Sequence, residues 1–488
     1  MHNLHTIDLS IIFGYLAICL ILGCVRIKSI KTIRDYAMGG KFITTPMLIG
    51  TLFATQIGAG ATVGRIEKIH SLGSVFAIVI LLSPLVWVTT YYVFANRIME
   101  FKAKGCMTLS DVMEYMYGKP GRWITNITAK ALSIAITSIQ ILAIGYLMSY
   151  FCGVSQIVGA MIGFGVLVIY SVLGGAKSII ITDAFQAIVL YIGIPAACLS
   201  AYYDVGGLDA IIASVPTSHS SFDMSWENIS MFFSLAIWCW MPQTYGVFMQ
   251  RFLLVSSKDQ LKTACRALFF GSFPIVIVLC VMGYIVRVKA PDINSNVAFF
   301  YLIDHYLPVG VKGLVITGVL AAIMSTADSW LSTASILWAH DIWKKLFPQI
   351  SDAREVLIAR ISLIIIAVLA TFLAFFKNDS LVSLHWVASN FWDPITFVPL
   401  AMGFLGFSSR YKSQIFVVSS IIGVSFSVGS AYFFASGGPS MFMFNTSTMC
   451  IGLLGSFIGL VGTHLYLTRK YGGLTDKLPD ALKNFPKP

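Results

Sequence analysis

Thirteen apolar runs, most of them ~20 residues long, set the limits on what this chain can fold into. A helix rises about 1.5 Å per residue, so ~20 apolar residues cross the hydrocarbon core of a bilayer. The runs fall near 8–25, 45–66, 73–95, 123–151, 154–173, 180–203, 228–250, 267–288, 310–340, 356–376, 381–406, 413–435 and 447–467. A membrane β-barrel would show ~10-residue alternating segments instead. Only 11% of the 488 residues are charged and 57% are hydrophobic, which excludes an ordinary soluble domain. The expected fold class is an all-α polytopic membrane protein. The first run is read as a spanning helix and not as a cleaved signal: Met1-His-Asn-Leu-His is not basic, and no small-residue cleavage site follows.

Lys and Arg predict the orientation. With the N-terminus outside, the inner segments hold 26 of the 33 basic residues, including Arg26, Lys28, Lys31, Lys41, Arg122, Lys177 and Arg251. The outer segments hold six: Arg65, Lys68, Arg287, Lys289, Lys312 and Lys377. This positive-inside split predicts an odd helix number and a cytoplasmic C-terminus. It also accounts for the net charge of +11 without a nucleic-acid partner. The nine cysteines show no metal spacing and read as small apolar fillers. Asn126 and Asn228 fit a glycosylation tripeptide, but Asn126 falls on the inner side and neither is given weight. The outer loop 204–227 is acidic through Asp204, Asp209, Asp223 and Glu227, a short helix is expected at Asn296–His305, and the tail from Tyr471 reads as a solvated end.

Two spans are interrupted at mid-membrane. The second contains Gln-Ile-Gly-Ala-Gly-Ala-Thr-Val-Gly (56–64) and the seventh Trp-Cys-Trp-Met-Pro-Gln-Thr-Tyr-Gly (238–246). They stand five spans apart, so each opens a block of five. Paired broken helices at matching positions point to an inverted-repeat transporter. The blocks are 45–204 and 228–407. Residues 1–44 precede them, 205–227 join them, 408–470 carry two further helices, and 471–488 form the tail.

In the ninth span Ala322, Ser325, Thr326 and Ser329 share one helical face. Their hydroxyls, with backbone carbonyls freed where the second span breaks, suit a hard monovalent cation. Hydroxyls that bond back to their own helix are the structural alternative. Asp183 and Asp328 add charge within apolar spans, where an ionisable residue costs from about 2.5 kcal/mol upward. They could hold a second cation or a proton, or pair with Lys130, Lys177 or Arg251.

Gly174-Gly-Ala-Lys177 followed by Thr182-Asp-Ala-Phe-Gln186, and Ala321-Ala-Ile-Met-Ser-Thr-Ala-Asp-Ser-Trp-Leu331 ending in Asp341-Ile342, resemble the signatures of the sodium/solute symporter family. The resemblance extends from about residue 8 to 470. It implies about 13 transmembrane helices with a five-plus-five inverted-repeat (LeuT-type) core, one helix before it and two after. It implies sodium-driven uptake by alternating access, with one or two sodium ions. Carried over, the main sodium site would use the carbonyls of Ala54, Ile57 and Ala322 and the hydroxyls of Ser325 and Thr326. A second cation site would use Asp183, Ser325, Asp328 and Ser329, although Asp328 stands where some members have Ser. Substrate contacts would come from Gln56, Gly58, Thr62, Gln140, Trp240, Gln243, Tyr245 and Asp393. Arg65 and Glu67 read as an outer-end ion pair or gate, with contact to a charged substrate as the alternative. Asp393, just before Pro394, could face a substrate amino group or bond the kinked backbone.

The expected function is sodium-coupled uptake of a small organic solute across the cell inner (plasma) membrane: an amino acid, carboxylate, sugar derivative or vitamin. The functional unit is expected to be a monomer. A proton-coupled carrier using Asp183 and Asp328 is the rival within transport. An intramembrane enzyme would cluster His, Asp or Glu near one interface, and the eight histidines here are scattered. A sensor would need an output domain, for which the tail is too short.

Overall fold

The computed structural model describes residues 4–24, 30, 32–38, 43–216, 224–376, 381–434 and 444–472. Arg26, Lys28, Lys31, Lys41, Asp223, Lys377 and the tail beyond 472 lie outside the described residues, as do the side chains of Glu227 and Asn296. Every regular element among the described residues is helical. In chain order they are α1 (Thr6–Cys24), α2 (Ile33–Met38), α3 (Thr45–Gln56), α4 (Val63–Leu72), α5 (Ser74–Leu81), α6 (Leu85–Phe94), α7 (Ile98–Ala103), α8 (Leu109–Cys152), α9 (Gln156–Val205) and α10 (Gly207–Ser214). Then come α11 (Trp226–Trp240), α12 (Gly246–Phe252), α13 (Lys258–Lys289), α14 (Ala298–Tyr306), α15 (Val311–Trp338), α16 (Asp352–Phe376), α17 (Leu381–Phe404), α18 (Lys412–Phe434) and α19 (Thr446–Tyr471).

Among the described residues eight helices are long and apolar enough to cross a membrane, and the α5–α6 pair, bent by 45° ahead of Pro84, makes a ninth. The other apolar runs fall in shorter or merged pieces. α9 takes in two of them, because it is 50 residues long with a break at Gly175. There φ is +59°, a conformation favouring glycine, and an added Cβ would stand 2.8 Å from Tyr36. The neighbouring Gly174 lies so near the Gly23 carbonyl that a Cβ would come within 2.4 Å. Both glycines of the Gly-Gly-Ala-Lys motif are therefore needed where α9 turns beneath α1 and α2. The short helix expected at Asn296–His305 is α14, preceded by a 3-10 turn over Ser295–Val297.

α15 is the central element. Its most apolar stretch is 94% buried inside the protein, against 39% for α16, α18 and α19, which present apolar side chains outward. α15 packs on α1, α3, α8, α9 and α16. Asp8 fixes its start, accepting the N–H groups of Gly310 at 2.8 Å and Gly313 at 2.7 Å. A carboxylate there satisfies free N-terminal donors and complements the helix dipole.

At the other end of α15, Asp341 is fully buried. Arg122 binds it at 2.8 Å and also reaches Asp111 at 2.5 Å and Glu114 at 2.6 Å. Thr108 and Asn126 donate to the same Asp341 carboxylate. Asn126 is thus a buried packing residue, out of reach of a glycosylating enzyme.

Candidate functional site

The second and seventh runs are broken, as their Gly and Pro content predicts. α3 stops at Gln56, residues 57–62 are irregular, and α4 resumes at Val63. α11 stops at Trp240 and α12 begins at Gly246. Backbone freed at membrane depth needs partners, and neighbouring side chains supply them. The Gln140 carbonyl oxygen accepts the Ala59 N–H at 2.9 Å. Thr62 donates to the Gly58 carbonyl at 2.9 Å. Thr89 donates to the Trp240 carbonyl at 2.7 Å, and Thr90 accepts the Gln243 N–H at 2.9 Å.

The break in the second run lies against α15. Ser325 Oγ is 2.9 Å from the Ala54 carbonyl and 3.1 Å from the Ala322 carbonyl. Thr326 Oγ1 is 3.4 Å from the Ala54 carbonyl, 3.2 Å from Thr55 and 3.2 Å from Ala322. Four oxygens of the expected set thus converge, from two helices, in a region closed to solvent. Ile57 caps α3 and is 3% exposed. The hydroxyls do bond back to their own helix, but each also reaches across to the carbonyl of a broken one. Gly58 completes the close approach: a Cβ there would lie 2.6 Å from Thr326 Oγ1 and 3.0 Å from Gln140 Oε1.

The expected second cation site is filled by the chain itself. Arg251 of α12 is 5% exposed and reaches into the space between α3, α9 and α15. It donates to Asp183 at 3.3 Å, to Thr51 at 2.9 Å and to the Val247 carbonyl at 3.0 Å. It also donates to the Ser329 hydroxyl. Thr51 in turn donates to Asp183 at 2.5 Å. Asp328 accepts from Tyr170 at 2.7 Å and from Ser329 at 3.3 Å. Asp183, Asp328 and Ser329 are brought together as expected, but around a guanidinium. Of the three candidate basic partners it is Arg251, while Lys130 lies over the Trp338 ring at 4.5 Å. The bridge Thr55 Oγ1 to Ser329 Oγ, 3.2 Å, ties this cluster to the first oxygen set.

A cavity of ≈ 160 Å³ opens beside the Ser325–Thr326 face. Gln56, Gly58, Gln140, Gln243, Tyr245 and Asp393 line it. Thr62 and Trp240 stand outside its wall. Thr62 is fully buried with its hydroxyl spent on the break, and the Trp240 carbonyl is held by Thr89. Trp238, Trp330 and His385 also line the cavity and escaped the sequence reading. Trp330 is one turn beyond Thr326, so the helical period carried the signal. Arg65 lines the cavity too, and does not pair with Glu67. Residues two apart on a helix point away from each other, and Glu67 meets Lys68 at 3.3 Å instead.

Comparison with known proteins gives the family and the fold. The model of the sodium:solute symporter family matches residues 36–423. The chain is 24% identical over 416 residues to the sodium/mannose cotransporter SLC5A10 of Bos taurus, covering 75% of this chain and 68% of that protein. It is 23% identical to the high-affinity proline transporter PutP of Bacillus subtilis (strain 168), over 75% of this chain and 80% of that one. Among solved structures, a Na+-coupled sialic acid symporter in a substrate-bound outward-open state matches with a TM-score of 0.80 at 18% identity. It covers 95% of this chain and 98% of that one.

Proposed function

The chain belongs to the sodium:solute symporter family, and from that premise we propose that one sodium ion, held between α3 and α15, drives a small organic solute through the adjoining cavity. The protein is a multi-pass membrane transporter with the five-plus-five fold, it couples solute movement to sodium, and it is not an enzyme. The observation that carries the proposal is the convergence of the Ala54 and Ala322 carbonyls with the Ser325 and Thr326 hydroxyls. Neutral oxygens from a broken helix and an intact one are what a sodium ion replaces its water shell with. The Ile57 carbonyl is proposed as a fifth ligand.

Sodium there ties the block 45–204 to the block 228–407 and preshapes the cavity between them. Each charge moving inward gains ~2.3 kcal/mol per 100 mV. Coupling requires that the ion bind one conformation better than the other. We assign a single ion because Arg251 already supplies the positive charge that Asp183 would otherwise draw from a second one. The proposed setting is the plasma membrane, with the N-terminus outside, the C-terminus cytoplasmic, and a monomer as the working unit.

The test is solute uptake into proteoliposomes at graded sodium. Ser325→Ala with Thr326→Ala is expected to raise the half-maximal sodium concentration at least about tenfold, since two ligands are lost. The wild type is expected to show a sodium Hill coefficient near one. Unchanged sodium dependence in the double variant overturns the ion site. Uptake driven by pH and indifferent to sodium turns the reading to a proton carried by Asp183 and Asp328.

A further inference from the structure

The wall of the cavity carries two formally charged side chains, one of each sign, and among the described residues neither has a partner. Arg65 of α4 makes no hydrogen bond or ion pair. Asp393 of α17 is fully buried, and both its carboxylate oxygens lack a hydrogen bond of ordinary geometry; the Ser389 hydroxyl, one turn earlier, approaches without closing one. The two do not pair with each other.

His385, Trp386, Ser389, Trp392 and Thr396 of the same helix also carry unpartnered polar atoms, so the unsatisfied groups of α17 cluster around Asp393, the one formal charge among them. Asn390, one turn before Asp393, is fully engaged. It donates to the Trp386 and Asn445 carbonyls at 2.9 Å and accepts from Ser427 at 2.7 Å and Thr448 at 2.8 Å. Asp393 does not serve the kink at Pro394. Proline frees a carbonyl, and neither Asp393 oxygen bonds it. An unpaired charge is costly in proportion to its burial, and a chain that keeps Asp393 buried and Arg65 half-buried on the walls of one cavity is built for an occupant that completes both.

We infer that the transported solute is a zwitterion, with its anionic group at Arg65 and its ammonium group at Asp393. This rests on the cavity being the solute site proposed above. The surroundings of Asp393 suit a cation: Tyr245 lies with its ring 5.6 Å from Trp330 and 6.4 Å from Trp392, and aromatic faces attract ammonium groups, methylated ones included. The guanidinium fork of Arg65 matches a carboxylate. Phe76, Ile80 and Ile136 give the cavity apolar walls for the solute's body. Its volume holds on the order of ten water molecules, which fits an amino acid or a betaine. A neutral sugar would leave both charges unpaired, and a simple carboxylate or amine would leave one.

The experiment measures thermal stabilisation of the purified protein in sodium and in potassium. The probes are the twenty amino acids, glycine betaine and proline betaine, against acetate, 3-phenylpropanoate, 2-phenylethylamine and glucose. The expected result is a sodium-dependent shift with at least one zwitterion, lost with its analogue that lacks either charge. Arg65→Gln and Asp393→Asn are each expected to weaken binding of that zwitterion roughly thirtyfold or more, with partial rescue in Arg65→Lys. Sodium stabilisation without solute serves as the folding control for both variants. A response to glucose or a single-charge probe with none to zwitterions overturns the inference, as does silence of the whole zwitterion panel beside an intact sodium shift. Undiminished zwitterion binding in Asp393→Asn overturns it too. Absence of any sodium shift in the wild type strikes the symport reading instead, so the two failures are distinguishable.

Discussion

Arg122 and Asp393 are both buried charges, yet they live in opposite surroundings. Arg122 is held by three carboxylates, one of which also takes bonds from Thr108 and Asn126. Asp393 has no hydrogen-bond partner, and Trp392 Nε1, Ser389 Oγ and His385 Nε2 near it in the sequence are also unpartnered. The first arrangement is complete without a ligand and clasps the start of α8 to the end of α15. The second is incomplete by construction. Satisfied charge marks where this fold is fastened, and unsatisfied charge marks where it receives something.

Removing one member of each region tests the contrast hardest. Arg122→Ala strands Asp341, which is fully buried, beside Asp111 and Glu114. Breaking a buried pair in this way costs about 3–5 kcal/mol. A large fall in the melting temperature in detergent is expected, with or without sodium. Asp393→Asn removes a charge that has no partner to lose, so stability is expected to stay within about 1 kcal/mol of wild type while solute recognition fails. If both variants melt alike, the distinction collapses.

Arg251 falls between the two regions and sharpens the line. It is fully bonded, like Arg122, but its cluster touches the ion site through Ser329 and Thr55. Arg251→Gln leaves Asp183 and Asp328 without a cation and is expected to cost about 2–4 kcal/mol in potassium. Sodium is then expected to recover more stability than it gives the wild type, because the vacated carboxylates offer a second binding place. Equal sodium shifts in the two proteins would show that the guanidinium had not been standing in for an ion.

How much of this was legible in the sequence follows from the range of the interactions. The Ser325–Thr326 face, the two breaks and the long apolar spans are local patterns, set by the helical period and by Gly and Pro. The cavity residues on the broken segments, Gln56, Gly58, Gln243 and Tyr245, came with the family resemblance, which implies substrate contacts at the breaks. Arg251 was one of three candidate partners for Asp183, and the pair spans 68 residues, so only the tertiary placing of α12, on α3, α8 and α15, selects it. The expected Arg65–Glu67 pair failed on geometry, since such neighbours diverge on a helix. Thr62 sits in the right segment but spends its hydroxyl on the break, and Trp240 gives the break only its backbone carbonyl. The sequence names residues at a break without telling which face the ligand and which repair the backbone.

The smallest expected effect separates two glycines of one break. At Gly58 a methyl group would press within 2.6 Å of Thr326 Oγ1, the atom proposed to hold sodium. Overpacking of that kind costs about 1–3 kcal/mol, and Gly58→Ala is expected to lose most of its sodium stabilisation. At Gly60 a Cβ would meet nothing within 4 Å, and its backbone φ is not positive. Gly60→Ala removes freedom from the unfolded chain without a clash, worth about 0.4–1 kcal/mol in favour of the fold. If the break works by flexibility, both substitutions stiffen the same segment and should impair uptake alike. If it works by letting the second span approach α15 closely enough to share an ion, Gly58→Ala fails and Gly60→Ala keeps the wild-type sodium dependence. Sodium titrations of the two variants, side by side, decide between these accounts.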